Sequence, residues 1–374
     1  MNSNKVLKLK HYNRSDAYES CLSPSKPIYF GHNILHHLES HVATLNPDKV
    51  FIITDTNVAK LYGDTIKAQL LNRPNHLVTF NAGDQNKTLQ TIETLAEKVL
   101  EAGCSKNSLI LNLGGGLAMN LGGMLASLLY RGIRFIHVPT NFIGQTDVVL
   151  SNKQGVNTFG GKNLLGMYSS PEFSLVDTSF LQTESKRSKF AGIAESMKNA
   201  LILKSDFYAY MKKVLKSSIN DVDMHELAKK TFEQKLSICK RDPTEKQLGL
   251  SLEYGHTIGH AIEILSKGDL LHGEAVYIGM HISAEIALQL GIMNQSDFKE
   301  HQAFLKSIKI SSKIPKSITM DKILIAIQKD NKKTGSQPAF ILLKGLGELH
   351  QIGGQLQTMV PKKIIEDCIR PYLS

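Results

Sequence analysis

The 374-residue chain contains no tryptophan, only four cysteines and 11 prolines, and 7% aromatic residues. Each shortage removes a class of protein. Cys21, Cys104, Cys239 and Cys368 stand far apart with no CxxC spacing. That excludes a disulfide framework or a zinc ribbon and fits a reducing, cytoplasmic setting. There is no basic stripe interleaved with aromatics, and no RRM, KH or helix-turn-helix pattern, so nucleic acid is not the expected partner. The opening residues, MNSNKVLKLKHYNRSDAYES, hold no apolar signal core. One stretch, Leu109 to Tyr130, lacks charge and is long enough for a membrane span. Asn112, Asn120 and the run Gly114-Gly115-Gly116 interrupt it. It reads instead as a buried strand, a glycine loop and a packed helix.

What is present is ordinary in amount and unusual in sign. Hydrophobic residues make up 42% and charged residues 21%, a balance that supports a large core and roughly two domains. The net charge is +10, which asks for an anionic partner such as a phosphorylated metabolite. Up to about residue 185 the pattern alternates strand and helix. KVFIITDTNVAKLYG, HLVTFNAGDQNKTLQTIETLAEKVLEAG, SLILNLGGG and IRFIHVPT are its units. Such alternation predicts an α/β domain with a parallel sheet over residues 1–185. From 186 to 374 the segments KRSKFAGIAESMKNALIL, MHELAKKTFEQKLSICKRD, YGHTIGHAIEILS and HGEAVYIGMHISAEIALQLG have helical period. They predict an all-α second domain.

Gly114-Gly115-Gly116 follows a predicted strand and opens a predicted helix. Backbone N–H groups there can approach a phosphate, with a favourable helix dipole. The spacing is neither GxGxxG nor a Walker A loop, and a tight strand-to-helix turn would use the same glycines. Asp55 ends a predicted strand, where it can accept ribose hydroxyls or cap the following helix. Asp84 and Lys87 in GDQNKT share that ambiguity. His256 and His260 are four apart, hence on one helix face, and His272 opens another helix. By spacing alone these three histidines form a metal site, with Glu195, Glu253, Glu263 or Glu274 as carboxylate candidates. HExxH is absent, so metalloprotease hydrolysis is unsupported. His36, His37 and His41 fit a polar helix face. Lys153 and Lys162 sit among Gly and Asn in loops after the sheet, the setting of a phosphate-binding lysine.

The ordered blocks GDQNKTL, GGGLAMNLGG, YRGIRFIHVPT, GGKNLLG, AGIAESMKNALI, LEYGHTIGHAIE, HGEAVYIGM and KDNKKTG resemble the dehydroquinate synthase superfamily of sugar phosphate cyclases. The resemblance implies a Rossmann-like NAD-binding α/β domain, a helical domain holding one divalent metal (Co²⁺ or Zn²⁺), and a homodimer. By motif, the metal ligands become Glu195, His256 and His272, and His260 moves to a phosphate-side or proton-shuttling role. NAD contacts are implied at Asp55, Asp84, Lys87, Gly115, Gly116, Thr140, Asn141 and Lys162. Substrate contacts are implied at Arg131 (from the other subunit), Asp147, Lys153, Asn163, Lys198, Lys235 and Lys332. These cations would account for much of the +10.

One block departs from the dehydroquinate synthase pattern. Where those enzymes place an Arg and an Asn on the substrate carboxylate, this chain has Gly249 and Glu253. An added negative charge repels a carboxylate, so the expected substrate lacks one. With LSNKQGVN and Asn120, the block resembles the branch of the superfamily that converts glucose 6-phosphate to 2-deoxy-scyllo-inosose. That branch implies transient oxidation by NAD, loss of phosphate, re-reduction and aldol closure, with Lys153 stabilising an oxyanion and Glu253 as acid/base. A dehydroquinate synthase with an unusual carboxylate site, a cyclase for another sugar phosphate, and a metal- and NAD-dependent polyol dehydrogenase are the alternatives.

Overall fold

The computed structural model describes residues 15–19, 26–158, 161–203, 205–242, 247–330 and 337–374. The first half is built on strands β1 (Ser15–Glu19), β2 (Pro27–Gly31), β3 (Val50–Asp55), β4 (Asn75–Phe80), β5 (Leu109–Gly114), β6 (Arg134–Pro139), β7 (Lys153–Thr158), β8 (Gly161–Tyr168) and β9 (Ser174–Asp177). Its helices are α1 (Leu38–Leu45), α2 (Thr56–Gln69), α3 (Leu89–Glu101), α4 (Gly116–Leu128) and α5 (Phe142–Thr146). Seven strands form one sheet in the order β1-β2-β9-β6-β5-β3-β4. Every neighbouring pair is parallel except β1–β2. β7 and β8 pair separately as an antiparallel ribbon.

The strands follow from their residues. β3 and β5 are continuous apolar runs because helices cover both faces of a parallel sheet. Along β3 the period of two divides the core: Phe51 and Ile53 face α3 and α4, while Val50 and Ile52 face α1 and α2. The chain leaves β3 for β4 on one side and β5 lies on the other. Their carboxyl ends, Asp55 and Gly114, therefore flank the crevice where open α/β sheets bind ligands. The uncharged run resolves into β5, the glycine loop and α4. No helix among the described residues is long and apolar enough to cross a membrane.

The second half is helical: α6 (Lys186–Ile202), α7 (Asp206–Val214), α8 (Met224–Arg241), α9 (His256–Leu265), α10 (His272–Gln289), α11 (Gln295–Leu305), α12 (Met320–Asp330) and α13 (Lys362–Ile369). Two short ribbons, β10 (Ala339–Ile341) with β13 (Gln357–Met359) and β11 (Leu343–Gly345) with β12 (Glu348–Leu349), add to it. Strands this short carry too few residues to show a period, so helical spacing alone does not reveal them.

Four imidazoles outside the His256–His260–His272 cluster are buried without charge. Burial pushes His137 and His301 down to about 3, and His41 and His281 down to about 4. Nδ1 of His137 meets Asn112 Nδ2 at 3.2 Å. The unfolded chain binds these protons near pH 6.5 and the folded chain does not. Their contribution to stability is thus complete above pH 6.5 and is lost as pH falls, by roughly 1.4 kcal/mol per pH unit per histidine. The urea midpoint should fall between pH 6.5 and 4, and His137→Gln should flatten that slope by about one proton.

Candidate active site

The N-terminal ends of α9 and α10 meet the middle of α6 because glycines let the backbones touch. Gly255 precedes α9 with φ 79°, a left-handed turn that releases His256 as the first helical residue. A Cβ on Gly273, the second residue of α10, would stand 1.8 Å from the Ala191 carbonyl oxygen of α6. The bare backbone there brings His272 onto α6 at the level of Glu195.

Glu195 is buried at 2% exposure, on a helix face it shares with the buried Lys198 and Asn199. Its Oε2 pairs with Lys198 one turn on. Its Oε1 has no hydrogen-bond partner. Instead it faces two ring nitrogens, His272 Nε2 at 3.6 Å and His256 Nε2 at 3.8 Å. Burial opposes ionisation here, yet Lys198, His256 and His272 hold the carboxyl well below the usual range. Burial, reinforced by Lys198, pushes His256 down to about 4. Burial also acts on His272, but Glu263, Glu195 and Asp147 outweigh it and raise it to about 8.

Both tautomers are fixed from behind. His256 Nδ1 donates to the Tyr254 carbonyl oxygen at 3.1 Å. His272 Nδ1 donates to Glu263 Oε2 at 3.0 Å. Carbonyl and carboxylate oxygens only accept, so both Nδ1 atoms carry the hydrogen, and a neutral ring turns its Nε2 lone pair toward Glu195 Oε1; on His272 the surrounding carboxylates favour a second proton, which a bound cation would displace. The ring nitrogens of His256, His260 and His272 also lie within 4.8 Å of one another. An orphaned, buried carboxylate oxygen facing two imidazole Nε2 atoms is a donor set suited to a cation. The residues fit a divalent metal.

Around this centre the sequence-predicted substrate residues gather. Lys198 is buried beside Glu195. Lys235 on α8 pairs with Asp147 after α5, and that partner overcomes burial to push the Lys235 ammonium up. Glu253 ends a 3-10 turn (Leu248–Glu253) and its side chain is exposed. Desolvation by the surrounding protein opposes its charge, but His256, His260, Lys198 and Lys153 hold its carboxyl at about 2. Gly249 N donates to Asp242 Oδ2 at 2.8 Å. Arg131 is not brought to the others. It lies beyond the far end of α4, about 20 Å from the glycine loop by helix rise. Lys332 lies outside the described residues.

The implied nucleotide residues line the crevice. Gly115 caps α4 without a side-chain partner, so the first-turn N–H groups are available to a phosphate. A Cβ on Gly115 would stand 2.8 Å from Asn141 Nδ2, and Asn141 itself caps α5. Gly116 follows as the first residue of α4. Thr140 N donates to Gly114 O. Asp55 performs the capping role, accepting from Asn57 N and Val58 N through Oδ1. Its Oδ2 remains beside Gly114. Open N–H groups, close backbone approach and an adjacent carboxylate fit a dinucleotide. Lys87 is buried, is pushed down to about 8 by that burial, and donates to Asn163 Oδ1. Lys162 bridges Asp84 (2.9 Å) and Glu263 (2.6 Å). Glu274 pairs with Arg187 and accepts from Leu271 N, away from the centre.

Two family models match consecutive stretches: 3-dehydroquinate synthase N-terminal over residues 77–191 and 3-dehydroquinate synthase C-terminal over 192–333. A 2-deoxy-scyllo-inosose synthase of Niallia circulans is 35% identical over 356 residues, 92% of this chain and 96% of its own. A 3-dehydroquinate synthase of Alkaliphilus metalliredigens is 34% identical over 328 residues, 87% of this chain and 91% of its own. A crystal structure of 2-deoxy-scyllo-inosose synthase complexed with carbaglucose-6-phosphate, NAD⁺ and Co²⁺ superposes with a TM-score of 0.88 at 34% identity. It covers 96% of this chain and 100% of its own.

If the α6–α10 contact sets the donor geometry, Gly273→Ala should act on both stability and metal. Forcing the helices apart should cost roughly 1–3 kcal/mol in unfolding free energy. Titration with Co²⁺ should show binding weakened well beyond that of a distant variant of equal stability.

Proposed function

The chain belongs to the 3-dehydroquinate synthase family, and from that premise we propose that it is a sugar phosphate cyclase. It converts D-glucose 6-phosphate to 2-deoxy-scyllo-inosose with release of phosphate. Relatives named 2-deoxy-scyllo-inosose synthase, and the crystal structure of that enzyme with carbaglucose-6-phosphate, NAD⁺ and Co²⁺, support this reading. A 3-dehydroquinate synthase is 34% identical as well, and Glu253 argues against that substrate. Its carboxylate is ionised and stands beside His256 and His260, in the block where dehydroquinate synthases hold the substrate carboxylate. A second carboxylate beside it would be repelled, with the repulsion weakened by solvent at this exposed side chain. A sugar hydroxyl would instead donate a hydrogen bond.

Glu195, His256 and His272 hold the divalent ion, Co²⁺ or Zn²⁺. The buried orphan Oε1 of Glu195 supports this set over the three histidines, because a set without Glu195 leaves a charged oxygen unpaired in the interior. When bound, the metal supplies Lewis-acid polarisation of a substrate hydroxyl. NAD, held at Asp55, Asp84, Lys87, Gly115, Gly116, Thr140, Asn141 and Lys162, supplies a hydride acceptor that is regenerated within the turnover. Glu253 accepts or returns a hydroxyl proton, and His260 lies one turn beyond His256 to shuttle another. Lys153, in the field of Glu253, stabilises developing oxyanion charge. Asp147, Asn163, Lys198, Lys235 and Lys332 orient the sugar phosphate. Arg131 sits at the wrong end of α4 for its own site, which supports a homodimer in which a second copy supplies it.

Purified protein with NAD and Co²⁺ should release inorganic phosphate from glucose 6-phosphate without net NADH. Phosphate release only from the seven-carbon, carboxylate-bearing precursor of dehydroquinate would contradict the Glu253 argument. Stoichiometric NADH would indicate a polyol dehydrogenase. Glu253→Gln should lower kcat by roughly 100-fold or more.

A further inference from the structure

The two imidazoles facing Glu195 are oriented by different means. The partner of His256 is the Tyr254 carbonyl, in the same half of the protein. The partner of His272 is Glu263 on α9, and that carboxylate is shared. Oε2 takes the His272 Nδ1–H, while Oε1 takes Lys162 Nζ at 2.6 Å. Lys162 belongs to β8 of the first half and also contacts Asp84 Oδ2 at 2.9 Å. Asp84 Oδ2 in turn accepts from Asn157 Nδ2 on β7 at 3.0 Å. A continuous run of alternating charge thus joins the β7–β8 ribbon to one side of the metal centre.

We propose that Glu263 is a positioning residue for His272, and that Lys162 holds Glu263 in place, so that the nucleotide half tunes the donor strength of one metal ligand. Glu263 is 8% exposed and both its oxygens are engaged, which leaves it little freedom to turn. An ionised carboxylate behind an imidazole fixes its tautomer and makes the opposite nitrogen a stronger donor. Without Lys162, the carboxylate loses the cation that sets its angle, and His272 loses a fixed direction toward Glu195 Oε1. The inference rests on the reading that His272 is a metal ligand.

The test is a Co²⁺ titration followed by visible absorption, in the absence of NAD so that cofactor contacts of Lys162 do not enter. Glu263→Gln should bind Co²⁺ about 10–100-fold more weakly than wild type, with a shifted cobalt spectrum. Lys162→Met should show a smaller weakening and a spectral shift in the same direction. Glu263→Gln with wild-type affinity and spectrum would overturn the proposal. So would a Lys162→Met protein indistinguishable from wild type. His256→Ala serves as the reference: if it keeps wild-type affinity, the ligand reading beneath the proposal fails. Unfolding midpoints of the apo proteins separate a local effect from a general loss of fold, because a merely structural role would lower the midpoint without moving the cobalt spectrum.

Discussion

A single carboxylate governs the arrangement of the helical half. Glu195 is buried, ionised and only half satisfied: one oxygen meets Lys198 and the other faces His256 and His272 without a hydrogen bond. A buried acceptor left unpaired costs about 1–3 kcal/mol, and more when it is charged. The surroundings are organised around tolerating that cost. Lys198 offsets the charge, the two imidazoles turn their Nε2 atoms toward it, and the glycine contacts between α6, α9 and α10 bring all three within ligand reach. Stability is given up locally, and a metal-shaped donor set is the result.

The charges of the cleft follow the same logic. The sequence reading treats the site lysines as phosphate ligands that explain much of the +10. In the structure Lys162, Lys198 and Lys235 are each matched by a carboxylate: Glu263 with Asp84, Glu195, and Asp147. These three lysines therefore add no net positive charge to the cleft. What the cleft offers is an alternation of fixed cations and anions. Such a lining suits a ligand with a phosphate at one end and many hydroxyls along it, and the ionised Glu253 disfavours an added carboxylate.

Much of this was legible from residues alone. The alternation of apolar runs and amphipathic helices announced the parallel sheet, and Gly114 and Asp55 fell at strand ends as open α/β sheets require. Helical spacing placed His256 and His260 on one face and brought in His272. Spacing could not find Glu195, because an acid in an apolar helix looks the same whether it is solvated or buried. Only motif resemblance singled it out, and the unpaired Oε1 supplies the physical reason. Glu263 was weighed as a ligand, and the structure places it behind His272 instead. Local pattern carries no information about which side of an imidazole a distant carboxylate will touch. The short ribbons after residue 338 were illegible because three-residue strands have no period.

The central claim is that Glu195, and not His260, completes the metal centre with His256 and His272. X-ray absorption at the cobalt edge of the Co²⁺-loaded protein counts imidazoles directly. Two imidazole nitrogens with a carboxylate oxygen are predicted, and loss of the ion on Glu195→Ala. Three imidazoles, with Glu195→Ala retaining the same spectrum, would contradict the account.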